Sequence, residues 1–321
     1  MKNIALVYGG GGSEHEISKI SAQFLSEQID SKDFNLKVFE LDKNFLFTSE
    51  DKTYELSANK SFVTDDERFT VDYVIPCIHG YPGESGDFQS LLNAYSIPYL
   101  GCGSEASTIC FNKAITKLML EHHGVQTTPF ISADAHDFSM AHEFFKKHKT
   151  VFVKATNQGS SIGCYKVENT KDLENKITEA FKFSNSVIIE SFIKAREIEV
   201  AVFEFNAKVN ATHPAEIICT NNFYDYEEKY SSTSSTKTII KADIDPKIAK
   251  QINDISQKVF KVLKLKDLSR IDFFLDHDKI FVNEINTFPG MTAISMFPKM
   301  MKEHGVEFKS FIKERINVQR Q

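Results

Sequence analysis

Apolar and polar positions recur along this chain at two periods, and the switches between them mark its elements. Asn3–Tyr8, Leu36–Glu40 and Asp72–His79 are short β-rich runs. Asn112–His122 carries Ile115, Leu118 and Met119 on one face of a predicted helix. Thr170–Phe183 carries Leu173, Ile177 and Phe181, and Pro246–Leu263 carries Ile248, Ile252, Ile255 and Val259, all at helical spacing. Pro246 follows Asp245, where proline suits a first helical turn. The second half is richer in strands. Glu197–Phe205 is long and partly alternating, and Arg270–Leu275 and Lys279–Ile285 flank Asp276-His277-Asp278 as a hairpin. The segment Asn221–Thr236 is polar with interleaved Tyr and Phe, and a loop that long reads as a lid or as disorder. This order predicts an α/β unit with a parallel sheet over 1–100, a smaller α/β unit over 101–187, and an antiparallel α+β unit over 188–321 that holds the loop 221–236.

Length and charge narrow the class. At roughly 150 residues per domain, 321 residues make two or three domains. A net charge of −6 argues against a nucleic-acid partner, which needs clustered cations. No apolar run approaches membrane-spanning length, and Ile4–Tyr8 is too short for a signal-peptide core. The five cysteines contain no C-x-x-C pair and read as buried thiols of a cytoplasmic protein.

Four constellations carry candidate chemistry. The first, Gly9–Ser18, is a glycine loop between a strand and a helix. Its G-x-G-x-x-G frame ends on Glu14, which would repel a pyrophosphate and could instead hold an ammonium; the alternative is a tight turn capped by Ser13. The second, His79–Asp87, lies at the carboxyl end of a strand, where open α/β sheets bind ligands; His79 is there either structural or functional. The third is Lys154 and the small-residue loop to Gly163, either a phosphate cradle or a flexible hairpin loop. In the fourth, Arg270 and Asp272 share one strand face, as do Glu284 and Asn286. A turn near His277 sets Arg270 opposite Glu284. Two carboxylates and an amide oxygen suit Mg²⁺; the alternative is a surface salt-bridge cluster. Ile271, Phe273, Val282 and Ile285 point partly into a core.

Taken in order, Gly9–Ser18, His79–Gly86, Gly159–Gly163, Asp225–Tyr230 and Glu284–Thr292 resemble the D-alanine–D-alanine ligase family of the ATP-grasp superfamily. The resemblance spans essentially the whole chain. It implies an α/β three-domain ATP-grasp fold and ATP-driven joining of two D-alanines through an acylphosphate, for peptidoglycan synthesis. It also implies a cytoplasmic homodimer with two Mg²⁺, or Mn²⁺, per site. By resemblance, Glu14 accepts the first substrate's ammonium, His79 contacts that substrate, and Ser160 and Tyr230 organise the closed site with Glu14. Lys113, Lys154 and Lys229 meet phosphates, Glu190, Ser191, Phe192 and Ile193 meet adenine, and Glu197 meets the ribose. Asp272, Glu284 and Asn286 hold the metals, Arg270 and Gly290 stabilise the oxyanion, Ser295 binds the second substrate's carboxylate, and Met296 lies beside it. Ala155–Gln158 departs from the family's usual proline and charge, Ser191 replaces a common lysine, and Met296 a common leucine. Tyr230 favours an amine as second nucleophile; related ligases that make a D-alanyl-D-lactate ester carry histidine there. A D-lactate or D-serine ligase, another carboxylate–amine ligase and a non-catalytic nucleotide-binding protein are the alternatives.

Overall fold

The computed structural model describes residues 1–218 and 236–318. They build three sheets. The first comprises β1 (Lys2–Gly9), β2 (Phe34–Leu41), β3 (Phe47–Ser49), β4 (Lys52–Ser57), β5 (Ser61–Val63), β6 (Arg68–Thr70) and β7 (Tyr73–Cys77), in the order β6-β5-β4-β3-β2-β1-β7. Parallel pairing is confined to β2-β1-β7. The parallel sheet expected over residues 1–100 is present as these three strands, and β3 to β6 extend it antiparallel. Three of those four strands have three residues each, too short to show a period. Ile4–Val7 of β1 is fully buried, as a central parallel strand covered on both faces requires.

The second sheet is β8 (Phe130–Ser132), β9 (Val151–Ala155), β10 (Cys164–Val167) and β11 (Val187–Ser191), in the order β10-β9-β11-β8. The third holds β12 (Arg196–Phe205), β13 (Lys208–Ala211), β14 (Ala215–Ile218), β15 (Lys237–Ile239), β16 (Leu268–Asp276) and β17 (Lys279–Asn286). Its order is β15-β14-β12-β16-β17, antiparallel throughout, with β13 also paired to β12.

The helices among the described residues are α1 (His15–Gln28), α2 (Asp87–Ala94), α3 (Ser104–Phe111), α4 (Lys113–His122), α5 (Ser139–His148), α6 (Thr170–Ala180), α7 (Pro246–Val262), α8 (Met296–Glu303) and α9 (Phe308–Asn317). None is long and apolar enough to cross a membrane. In α7 the Asp245 side chain caps Lys247 N at 2.8 Å, and Ile252 and Val259 are fully buried. In α4 the expected apolar face is reversed. Ala114, Thr116, Lys117 and Leu120 are buried, whereas Ile115 and Leu118 are 43% and 60% exposed. Asn112 caps this helix through Ala114 N and Ile115 N, and the buried side is the one that carries Lys117 toward β11. One core is shared by the first and third sheets: Leu25 and Ile29 of the α1 region meet Phe203, Met300, Met301 and Phe311. Each such side chain contributes about 1.5–3 kcal/mol, which fixes one sheet against the other and so positions what lies between them.

Candidate active site

Glu14 and His79 come together because β1 and β7 are adjacent and parallel, so the loops at their carboxyl ends are neighbours. The capped turn read for Ser13 is corrected: Glu14, not Ser13, is the N-cap residue of α1, with its carbonyl accepting from Ser18 N at 3.0 Å. Its side chain turns away from the helix, and Oε1 accepts from Ser160 Oγ at 2.5 Å across the cleft. Gly80 has φ +69°, and a Cβ there would lie 2.7 Å from Glu14 Oε2; only glycine lets the carboxylate lie this close. His79 is buried. Its Nε2 is 2.8 Å from Ser21 Oγ, and its main-chain N donates to Ser18 Oγ at 3.0 Å. Nδ1 is left 3.8 Å from Glu84.

The second sheet supplies a buried charge cluster. Lys154 on β9 is paired with Glu190 Oε2 at 2.7 Å, and Lys117 on α4 with Oε1 at 2.9 Å. Burial alone would raise the Glu190 pKa, but the two ammoniums overcome it and hold the carboxyl at about 2. Burial opposes the Lys154 charge, yet Glu190 keeps its pKa above the usual lysine value. Both carboxylate oxygens of Glu190 are thereby engaged. The loop after β9 carries Ser160 and Ser161 in left-handed backbone, φ +49° and +63°, an arrangement costing about 1–2 kcal/mol per residue. In place of a proline, Thr156 ties the loop down: its hydroxyl donates to Asn157 Oδ1 at 2.6 Å and is within 3.1 Å of Ser186 O. Lys113 Nζ donates to Gln158 O at 2.6 Å and stands 3.8 Å from Glu284.

The ribbon of β16 and β17 corrects one expected pairing. Arg270 faces Asn286, and Asp272 faces Glu284. The turn is the two-residue His277-Asp278, and a bulge leaves Asn283 without a counterpart on β16. Together these shift the register by two residues. Arg270 Nε and Nη2 donate to the two oxygens of Asp272 at 2.7 Å each, and Asn286 Nδ2 donates to Asp272 Oδ2 at 3.0 Å. Glu199 on β12 lies 3.3 Å from Arg270. Burial opposes the guanidinium charge, but Asp272 and Glu199 raise its pKa above the usual arginine value. Ile271, Phe273, Val282 and Ile285 enter the core behind the ribbon.

Two cavities meet along this ribbon. One, of about 450 Å³, is lined by Lys154, Glu190, Ser191, Phe192, Ile193, Glu197 and Asp272. The other, of about 620 Å³, is lined by Glu14, His79, Asn286, Gly290, Ser295 and Met296. Lys113, Ser160, Glu199, Arg270 and Glu284 line both. Ser295 is the N-cap residue of α8, and its hydroxyl is 2.8 Å from Thr292 Oγ1; Met296 is mostly buried in the shared core. Lys229, Tyr230 and nearly all of the loop 221–236 lie outside the described residues. Lys117 and Glu199 are additions that the sequence reading missed. Glu199 had a signal, an acid inside the apolar run of β12; Lys117 had none.

The residues on the ribbon fit a hard divalent cation. Asp272 and Glu284 are directly cross-strand, so their carboxylates are near neighbours, and Asn286 adds an amide oxygen on the same side. No group of three or more His, Cys, Asp or Glu among the described residues could hold a metal by itself. Two carboxylates that leave the remaining positions to phosphate and water match magnesium's habit.

A small antiparallel sheet and a larger one, clasping a cleft with two lysines on one side and an acidic ribbon on the other, define the ATP-grasp class. Residues 3–102 match the family described as D-ala D-ala ligase N-terminus, and residues 119–317 the one described as D-ala D-ala ligase C-terminus. A D-alanine–D-alanine ligase of Shewanella halifaxensis is 46% identical over 99% of this chain and 98% of its own. A solved D-alanyl-alanine synthetase A from Vibrio cholerae superposes with TM-score 0.92 at 41% identity, covering 98% of this chain and 97% of that one. A Bacillus anthracis D-alanine–D-alanine ligase complexed with ATP shares the fold, with TM-score 0.78 at 22% identity over 98% and 96% of the two chains. The chain belongs to the D-alanine–D-alanine ligase family.

Proposed function

We propose that this enzyme joins two D-alanines into D-alanyl-D-alanine, converting ATP to ADP and phosphate. The observation that carries the proposal is the shared cleft: Glu14, Lys113, Ser160, Arg270 and Glu284 line one continuous space. ATP lies in the cavity between the second and third sheets, with the purine against Ser191–Ile193 and the ribose at Glu197. Because both oxygens of Glu190 are engaged by lysines, main-chain groups of the hinge read the purine. Lys113 and Lys154 face the phosphates from one side. Asp272, Glu284 and Asn286 would hold Mg²⁺ on the other, and the ion would supply charge neutralisation for phosphoryl transfer.

Glu14 receives the ammonium of the first D-alanine, held in place by Ser160, while His79 contacts the same molecule. That substrate's carboxylate attacks the γ-phosphate and becomes an acylphosphate. The amine of the second D-alanine, its carboxylate near Ser295 and its methyl near Met296, attacks the activated carbonyl. Arg270 and the Gly290 N–H stabilise the tetrahedral oxyanion, a donor role worth roughly 3–4 kcal/mol. Lys229 and Tyr230 complete the closed site, and the loop 221–236 excludes water from the acylphosphate. Residues 1–100 serve the substrates, and 101–187 and 188–321 the nucleotide. The product is a peptidoglycan precursor made in the cytoplasm by a homodimer, whose mass sedimentation would report.

The test is phosphate release that depends on both ATP and D-alanine, with the dipeptide identified by mass. EDTA and Glu284→Ala should each abolish it. Release driven by another amino acid and not by D-alanine, or dominant ester formation with D-lactate at neutral pH, would overturn the proposal.

A further inference from the structure

Lys117 is a buried cation that the reaction just described does not use. It is 1% exposed and lies on α4, four residues beyond Lys113. An unpaired ammonium at such a site is very costly, so its partners define its purpose. Nζ donates to Thr128 Oγ1 at 2.5 Å and to Thr128 O at 3.3 Å, and it pairs with Glu190 Oε1 at 2.9 Å. The Phe130 ring centroid lies 5.4 Å away. Three polar partners account for the three donors of an ammonium. Lys117 therefore cannot touch a nucleotide and can act only through Glu190.

The charge count within the cluster gives the action its sign. Lys117 and Lys154 contribute two positive charges and Glu190 one negative, so the three groups together carry +1, with Lys154 and Glu190 lining the nucleotide cavity and Lys117 behind them. Without Lys117, Glu190 and Lys154 would close into a neutral pair. Lys154 would then find its whole counter-charge inside the protein and attract phosphate less. Glu190 would also lose the anchor on Oε1 that holds its carboxylate away from the cavity. We propose that Lys117 is a positioning residue for nucleotide binding: it occupies one oxygen of Glu190 and half of its charge, leaving Lys154 only partly compensated and able to attract the phosphates. This deepens the proposed function and rests on its ATP site.

The experiment compares binding of ATP and of adenosine by calorimetry, together with the KM values for ATP and D-alanine, in wild type and Lys117→Met. Methionine keeps the length and removes the charge. Binding of ATP should weaken at least tenfold and its KM rise in step. Adenosine affinity and the KM for D-alanine should stay within twofold, because neither senses the phosphate site. Adding Glu190→Gln to Lys117→Met restores the net +1 and should recover most of the lost ATP affinity. Equal losses for ATP and adenosine would mean a distorted hinge and overturn the inference, as would unchanged ATP binding or a double variant no better than the single one. If Lys117→Met does not fold, Lys117→Gln keeps a hydrogen-bond donor for Thr128 and removes the same charge. It should weaken ATP severalfold and leave adenosine unchanged, the opposite result being equally fatal. Absence of ATP binding in the wild type would instead defeat the ATP-site reading itself.

Discussion

Arg270→Lys isolates the fork geometry of the ribbon from its charge. The guanidinium spans both oxygens of Asp272 at 2.7 Å each while Glu199 stands 3.3 Å away. A lysine ammonium keeps the charge but is a point donor and cannot bridge both oxygens in one plane. One of two charge-assisted hydrogen bonds is lost, and bonds of this kind contribute roughly 1.5–3 kcal/mol. The expected loss of stability is therefore about 2 kcal/mol, read as a lower urea midpoint at unchanged slope. Activity should suffer more, because in the proposed mechanism the same planar group stabilises the developing oxyanion; removing such a donor costs about 10²–10³ in turnover. Coupled ADP release measured beside urea unfolding checks both. Near wild-type turnover with an unmoved midpoint would refute the argument that planarity, and not merely positive charge, is required at position 270.

Three further outcomes follow from particular contacts. Glu190 titrates at about 2 in the fold against an ordinary 4.5, so its contribution is present above pH 4.5 and is lost as pH falls toward 2; unfolding curves across that window should show the loss, and Glu190→Gln should flatten that part of the slope. Asn112→Ala removes the cap on Ala114 N and Ile115 N and should cost about 1 kcal/mol in thermal or urea unfolding. Gly83→Ala would set a Cβ 2.2 Å from Ile78 O, a main-chain atom that cannot swing aside; about 1–3 kcal/mol of stability should disappear, along with the seating of the neighbouring His79 loop, visible as a raised KM for D-alanine.

Much of the site was legible because the residues concerned announce themselves locally. Glu14 stood out as the wrong residue for a pyrophosphate loop, and Asp272 and Glu284 as acids alternating with core residues on a ribbon. Lys154 stood out as a cation ending an apolar strand. The register of that ribbon was not legible: it depended on a two-residue turn and on the bulge at Asn283, neither of which changes the alternation on either side. Nor did the pattern show which face of α4 would be buried. Ile115 and Leu118 look like core by spacing alone, yet the helix docks through Lys117, whose burial is favourable only because Glu190 and Thr128 meet it there.

By itself the sequence determined the identities of most long strands and helices, the proline in the first turn after Asp245, and the chemical types lining the cleft. These follow from interactions among residues a few positions apart. Only the tertiary structure decided that Asp272 is bound to Arg270, that Glu190 is shared by two lysines, and that Glu14 reaches Ser160 across 146 positions of chain. The energy of a charge depends on which opposite charge lies within a few ångströms and how much water remains. Distant segments meeting in space set both quantities, and no local period records them.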